Sequence, residues 1–284
     1  VSEAAIAYLA RGWAHAEGEA LHGIDAQSAV EQFADTSNGE GNWRILNGYS
    51  ALINHVAQGL DIRLGVEVEC IDWSEPVVRV VAADGTTYSA DHVIITLPLG
   101  VLQAGRVQFV PALPAAKQDA IDRLASAPVI KLVYRFAEPV LPEGVFALIV
   151  PDNPCVWWSP SVGQPTEDVV LTAFVTGDRA REMLALGEVA ALEKGVEALR
   201  AELNLPTLRP LAARMVNWVE DPYTLMGYSI TPPGAIDAHA ALAEPVANRL
   251  FWAGEATAGH LWKATVHGAY ASGCRAAAEA LSSS

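Results

Sequence analysis

Arg249-Leu250-Phe251-Trp252-Ala253-Gly254-Glu255-Ala256-Thr257 is the stretch on which the fold turns. Leu250 to Ala253 is a short apolar run without polar alternation, which suits a strand covered on both faces. It runs into Gly254-Glu255, where a glycine lets backbone approach a ligand closely. The carboxylate that follows can accept hydroxyl protons. Gly-Glu after a strand is common, so alone it marks a buried strand and little more. Downstream, Ala264-Thr265-Val266-His267-Gly268-Ala269 opens a helix that the spacing carries from about Thr265 to Leu281. A helix N-terminus favours negative charge. Gly268 and Gly273 would let this helix pack on something flat, although a plain C-terminal core helix fits the spacing as well.

Working back along the chain, His92 to Leu97 is a second continuous apolar strand, ended by Pro98 in Thr96-Leu97-Pro98-Leu99-Gly100. Ile62, Leu64, Val66, Val68 and Cys70 alternate with Arg63, Gly65, Glu67, Glu69 and Ile71, the period of a strand with one buried face. Val77 to Ala82 reads as another strand, and Asp84-Gly85 as a hairpin turn into Thr86–Tyr88. Further strands are expected at Val129–Phe136, Val145–Val150, Val156–Ser159 and Val169–Val175, with an edge strand at Arg214–Trp218. Helices are expected over 3–20, 27–33, from Gly48 through Val56, over 113–125 and over 188–203. Helices and strands interleave throughout, which gives an α/β fold with an α+β insert.

The composition bounds the function. The chain has 284 residues, a hydrophobic fraction of 51% and a net charge of -15, so it folds and is poorly suited to a nucleic-acid backbone. The acidic balance is compatible with a cationic ligand. No apolar run is long enough for a membrane span. Cys70, Cys155 and Cys274 form neither a zinc spacing nor a disulfide framework, and no metal site is expected. They are expected to be buried free thiols in a reducing compartment, here the cytoplasm. The chain opens Val1-Ser2-Glu3 with no signal peptide, so either its start was processed or it is a piece of a longer protein.

Three places carry candidate chemistry. Lys131 sits inside the apolar run 129–136, where it either faces solvent from an edge strand or is buried to hold a water or a cofactor atom. Gly254-Glu255 and the helix start at Thr265-Val266 are the second. The third is Trp218-Val219-Glu220-Asp221-Pro222-Tyr223 with Gly227-Tyr228-Ser229, aromatics that pack a loop or wall a cation.

Taken in order, Gly48-Tyr49-Ser50, Leu64 to Trp73, Thr96-Leu97-Pro98-Leu99-Gly100-Val101-Leu102, Phe109-Val110-Pro111, Lys131, Trp218…Asp221-Pro222-Tyr223, Gly227-Tyr228-Ser229, Gly254-Glu255-Ala256-Thr257 and Ala264 to Ala269 resemble the flavin-containing amine oxidases. The resemblance covers about 40–281 and looks closest to the polyamine oxidase and lysine-specific histone demethylase branch. It implies catalytic roles for Lys131, which would hold a water near the flavin, and Tyr228, one wall of an aromatic cage for the amine. Thr265 stands where a second aromatic wall is found in monoamine oxidases, so the cage is half-formed, with Trp262 nearby. Val68 is implied to meet the adenine side of FAD, Glu255 to bond the ribityl or pyrophosphate region, and Gly254 to precede it. Thr265 and Val266 face the flavin pyrimidine edge, with Trp218 and Tyr223 beside the ring. Gly227 falls where monoamine oxidases carry the cysteine that bonds FAD, so FAD would be non-covalent. The implied reaction moves a hydride from the carbon beside a primary or secondary amine, expected to be polyamine-like, onto the flavin. O2 then reoxidises the flavin to give H2O2.

The sequence departs from that family in one respect. It has no GxGxxG and no Gly-Gly-Arg element, the part that grips the FAD pyrophosphate. The resemblance therefore implies an incomplete FAD-binding Rossmann-like domain plus an α+β substrate domain with a mixed sheet. Residues 44–100 and 236–284 form the first, 101–235 the second, and 1–43 add helices to the substrate side. The missing N-terminal FAD-binding segment would belong to the same gene or a separate chain. A naturally short, flavin-free binding relative is the other reading, and an L-amino acid oxidase of the same fold is the alternative within enzymes.

Overall fold

The computed structural model describes residues 2–3, 15, 17–35, 37, 45–150, 153–164 and 166–283. Most of the helix expected over 3–20 and most of the polar loop at 35–42 lie outside the described residues.

Two sheets carry the molecule. The first has order β3-β2-β1-β5, built from β1 (Val68–Asp72), β2 (Val78–Ala82), β3 (Thr87–Ala90) and β5 (Gln108–Val110). β2 and β3 form the hairpin read from Asp84-Gly85: Gly85 takes φ 83 and the Asp84 carboxylate accepts the Thr86 N–H at 2.8 Å. Beside this sheet, β4 (Val93–Ile95) and β13 (Leu250–Trp252) pair in parallel, with Phe251 opposite Ile94. Ile71, Val78, Ile95, Val101, Leu250 and Trp252 fill one core between them.

The second sheet is antiparallel, in the order β11-β7-β10-β9-β8. Its strands are β7 (Val129–Phe136), β8 (Ala147–Ile149), β9 (Val156–Trp158), β10 (Val169–Thr176) and β11 (Ala212–Asn217). Alternation sorts its two faces. Ile130, Leu132, Tyr134, Leu171, Ala173 and Val175 point to one side and bury against Met183 of α5 (Gly177–Leu186) and Val196 and Leu199 of α6 (Glu188–Glu202). Each large aliphatic side chain of this set removed from water contributes roughly 1.5–3 kcal/mol. Gly195 lets α6 sit down on Tyr134, because a Cβ there would stand 2.2 Å from the phenol oxygen, and that hydroxyl donates to Leu192 O at 2.9 Å.

The remaining elements join the sheets. These are α1 (Ala26–Ala34), α2 (Gly48–Val56), α3 (Leu99–Gln103), α4 (Ala115–Arg123), α7 (Ala238–Ala243), α8 (Gly259–Trp262) and α9 (Val266–Ser282), with β6 (Ala125–Ser126) paired to β12 (Ser229–Ile230). Lys117, buried on α4, donates to Ala241 O, Leu242 O and Glu244 O at 3.1, 2.6 and 2.6 Å, and so caps the C-terminal end of α7. Burial pushes this lysine down to about 7, yet three acceptors need the three N–H groups that only the ammonium has.

Several expectations are corrected. The strand read over 62–70 begins only at Val68, and its buried residue is Ile71 rather than the Val68/Cys70 set. An irregularity between Val68 and Cys70 shifts the register, and a one-residue shift exchanges the faces. Ile62 and Leu64 are 54% and 89% exposed, since no strand pairs with 60–67 among the described residues. Ile94, read as covered on both faces, is 41% exposed. Cys274 is exposed rather than buried. β7 is not an edge strand, so Lys131 does not face solvent from an edge; β11 is the edge. Helix α5 went unread. Gly177, at φ 59, turns the chain out of β10, and Ala180 and Met183 bury at helical spacing.

Candidate functional site

The site forms where Gly227-Tyr228-Ser229 threads between the second sheet and the strand-turn after β13. Lys131 lies on the face of β7 away from the helices, half-buried, in register with Phe174 of β10. Its Nζ stands 5.7 Å from the Trp158 ring centre, and Trp158 lies 5.8 Å from the Phe174 ring. Burial lowers the Lys131 pKa below its ordinary value. Tyr228 stacks on Phe174 with ring centres 6.4 Å apart and planes at 25°. Lys131 and Tyr228 thus share one aromatic neighbour.

Tyr228 is held by its backbone. Its carbonyl accepts the Ala127 N–H, and the Gly227 N–H donates to Ala127 O, both at 2.9 Å. Gly227 is tightly constrained: a Cβ there would lie 2.2 Å from Cγ2 of Val129. Burial raises the Tyr228 phenol above its ordinary range, and the carboxylates of Glu17 and Glu255 push in the same direction.

Glu255 opens a short 3-10 turn, Glu255–Thr257, and is half-buried. Its carboxylate accepts from Ser229 N at 3.0 Å, Ser229 Oγ at 2.7 Å and Ala264 N at 2.7 Å. Burial raises its pKa, opposed by these hydrogen bonds and by the Lys263 ammonium. Gly254 takes φ 113, a conformation other residues resist, and its N–H donates to Ser272 Oγ at 3.0 Å. Thr265 caps α9, its Oγ1 accepting from Gly268 N at 3.0 Å, an interaction worth about 1 kcal/mol. Val266, the first helical residue, is 57% exposed.

A cavity of about 170 Å³ collects Gly227, Gly254 and Glu255 with Thr96, Pro98 and Trp252. The indole N–H of Trp252 is buried without a hydrogen-bond partner. A cavity this size is below the ~300–1,000 Å³ of a typical ligand pocket. It does not include the capped N-terminus of α9 in its lining.

The other expected residues sit apart from this cavity lining. Val68 is half-buried at the start of β1. Tyr223 is 62% exposed and reaches Glu67, the neighbour of Val68, at 3.5 Å. Trp218 follows β11, with its backbone N–H donating to Val129 O at 3.3 Å, and is 36% exposed. The structure also brings in residues that sequence reasoning missed. Phe174 and Trp158 form the aromatic floor. Buried Lys263 pairs with half-buried Glu17 at 3.2 Å. His239 lies fully buried between Thr231 Oγ1 and Ala256 O, both at 2.8 Å. Burial lowers His239 to about 4. Strand alternation could have flagged Phe174 as sharing a face with Lys131. No sequence signal joins Glu17 to Lys263. Among the described residues no group of three or more His, Cys, Asp or Glu side chains could hold a metal ion, and no helix is long and apolar enough to cross a membrane.

The comparisons with known proteins agree on one group. The family profile for flavin containing amine oxidoreductases matches residues 5–281. Lysine-specific histone demethylase 2 of Homo sapiens is 33% identical over 282 residues, covering 93% of this chain and 33% of that protein. Polyamine oxidase 4 of Oryza sativa subsp. japonica is 36% identical over 242 residues, covering 84% of this chain and 49% of that protein. In fold, a solved putrescine oxidase mutant superposes with a TM-score of 0.74 at 20% identity, over 85% of this chain and 54% of that one. The chain thus spans between a third and about half the length of the relatives it matches.

Proposed function

The chain belongs to the flavin-containing amine oxidoreductase family, and from that premise we propose that it carries the amine-binding side and the flavin-facing end of an FAD-dependent amine oxidase. FAD, bound non-covalently, would accept a hydride from the carbon beside a primary or secondary amine, with O2 as final acceptor and H2O2 as product. The observation that carries the reading is the Gly227-Tyr228-Ser229 run. It sets Tyr228 against the Lys131 face on one side and fixes Glu255 through Ser229 on the other.

Each residue then has a task. Tyr228 and Phe174 wall a desolvated path that disfavours the protonated amine. Lys131, its charge weakened by burial, holds a water at the reacting edge. Thr265 and Val266 present the α9 N-terminus to developing negative charge. Gly254 and Glu255 receive the polar chain of the cofactor, with Trp218 and Tyr223 at its ring side and Val68 toward its adenine. Gly227 leaves no room for a cysteine beside Val129, in keeping with a non-covalent cofactor. The acidic balance and the polyamine oxidases among the relatives support a polyamine-like substrate.

The pyrophosphate grip has to come from a segment carrying GxGxxG. The surface left for it is apolar. Helix α2 buries none of its residues, and Tyr49, Ile53, Val56, Leu60 and Ile62 are each more than half exposed. β4 and β13 pair only with each other among the described residues, although parallel strands normally lie inside larger sheets. Residues 44–100 and 236–284 would then complete a nucleotide-binding domain around 101–235. The test is FAD titration and amine-dependent peroxide release, with and without a co-expressed GxGxxG segment. Bound flavin and peroxide in the second case support the reading. Flavin bound in neither case favours the flavin-free relative.

A further inference from the structure

Two carboxylates lie near the Tyr228 phenol, and they are compensated differently. Glu255 is satisfied by Ser229 and the Ala264 N–H. Glu17 is neutralised by a lysine. Lys263 is 2% exposed, and its Nζ donates to Glu17 Oε2 at 3.2 Å and to Gln32 Oε1 at 2.7 Å. Glu17 lies beside Tyr228, the wall assigned above to the amine path. The next residue, Gly18, abuts Tyr228 so tightly that a Cβ there would be 3.1 Å from ring carbon Cε2 and 3.3 Å from the phenol oxygen. The Glu17 field also reaches that phenol.

From this arrangement we propose that Lys263 is a specificity-determining residue, whose ammonium fills the counter-ion place at Glu17 and so disfavours amines that bring a second ammonium there. The proposal rests on the reading that Tyr228 borders the amine path, and it narrows the polyamine-like substrate to amines with a single charge within reach of Glu17. A half-buried carboxylate such as Glu17 attracts a further cation more strongly when it is alone than when it is already paired. A diamine reaching Glu17 would either place two ammonium groups on one carboxylate or push Lys263 off it. The second course leaves Lys263 buried and unpaired, because Gln32 offers only a neutral oxygen. An amine with an apolar far end meets neither obstacle.

The experiment compares 1,4-diaminobutane with butylamine, as binding by calorimetry and as kcat/KM on the chain assembled with a GxGxxG segment and FAD, for wild type, Lys263→Met and Lys263→Met/Glu17→Gln. The expected result is a rise of tenfold or more in the diamine-to-monoamine affinity ratio in Lys263→Met, lost again in the double variant. An unchanged ratio overturns the proposal, as does a rise that persists without Glu17 or a failure of every variant to bind the diamine. If Lys263→Met does not fold, Lys263→Gln takes its place under the same criteria. Binding is read apart from turnover, so an absence of amine oxidation would count against the amine-oxidase reading and leave the affinity ratio to judge Lys263.

Discussion

Glu255 accepts the Ala264 N–H at 2.7 Å, and through this one bond the turn after β13 is tied to the residue before the α9 cap. Ala264 takes φ 61, so the bond holds a backbone conformation that is uncommon for alanine. Glu255 faces three donors with two acceptor oxygens. Glu255→Gln would set an NH2 group against one of them. The expected loss is about 1–3 kcal/mol, read as a lower urea midpoint. A variant as stable as wild type would show that the carboxylate does not organise this turn.

Gly227 leads to a second expectation. Gly227→Cys drives a Cβ into Val129 and should cost about 1–3 kcal/mol without creating a covalent flavin link. Gly227→Cys/Val129→Ala should recover part of the loss, since it removes the clashing methyl groups. Flavin retained after acid precipitation of the single variant would contradict the packing described for 227.

Lys131 and Tyr228 should separate in kinetics. Lys131→Met removes a partly buried charge, so folding should be preserved or improved while flavin reoxidation slows by about 10²-fold or more. Tyr228→Ala should leave reoxidation alone and depress amine turnover. Equal effects of both changes on both half-reactions would sink the division of labour.

His239 sets an acid limit on stability. Its folded pKa of about 4 lies below the ordinary 6.5. Above 6.5 both folded and unfolded chains hold it neutral, and it has no effect on stability with pH. As pH falls from 6.5 toward 4, the unfolded chain takes up a proton that the folded chain refuses. Stability drops across that window by roughly 3 kcal/mol. His239→Gln should flatten this part of the stability–pH curve, and an unaltered slope would place the acid sensitivity elsewhere.

The strands of the second sheet were legible because β7 and β10 are long and apolar, with Lys131 and Arg135 the two charges among them. The N-cap at Thr265 and the turn at Gly254 were legible for similarly local reasons. The segment 62–70 misled, because alternation reports the period of a strand and not whether another strand stands beside it. Val68 through Cys70 then lost the register to a local irregularity. The Glu17–Lys263 pair and the Phe174–Tyr228 stack join residues far apart in sequence, and no local pattern encodes such meetings.

The most direct test is the visible spectrum of flavin on this chain, assembled with a GxGxxG segment and FAD, before and after an amine is added without oxygen. The account predicts a bound-flavin spectrum that bleaches with amine in wild type, returns on admitting O2, and stays unbleached over the same interval in Tyr228→Ala. A bound flavin that no amine bleaches, or one that bleaches equally fast in Tyr228→Ala, would contradict it.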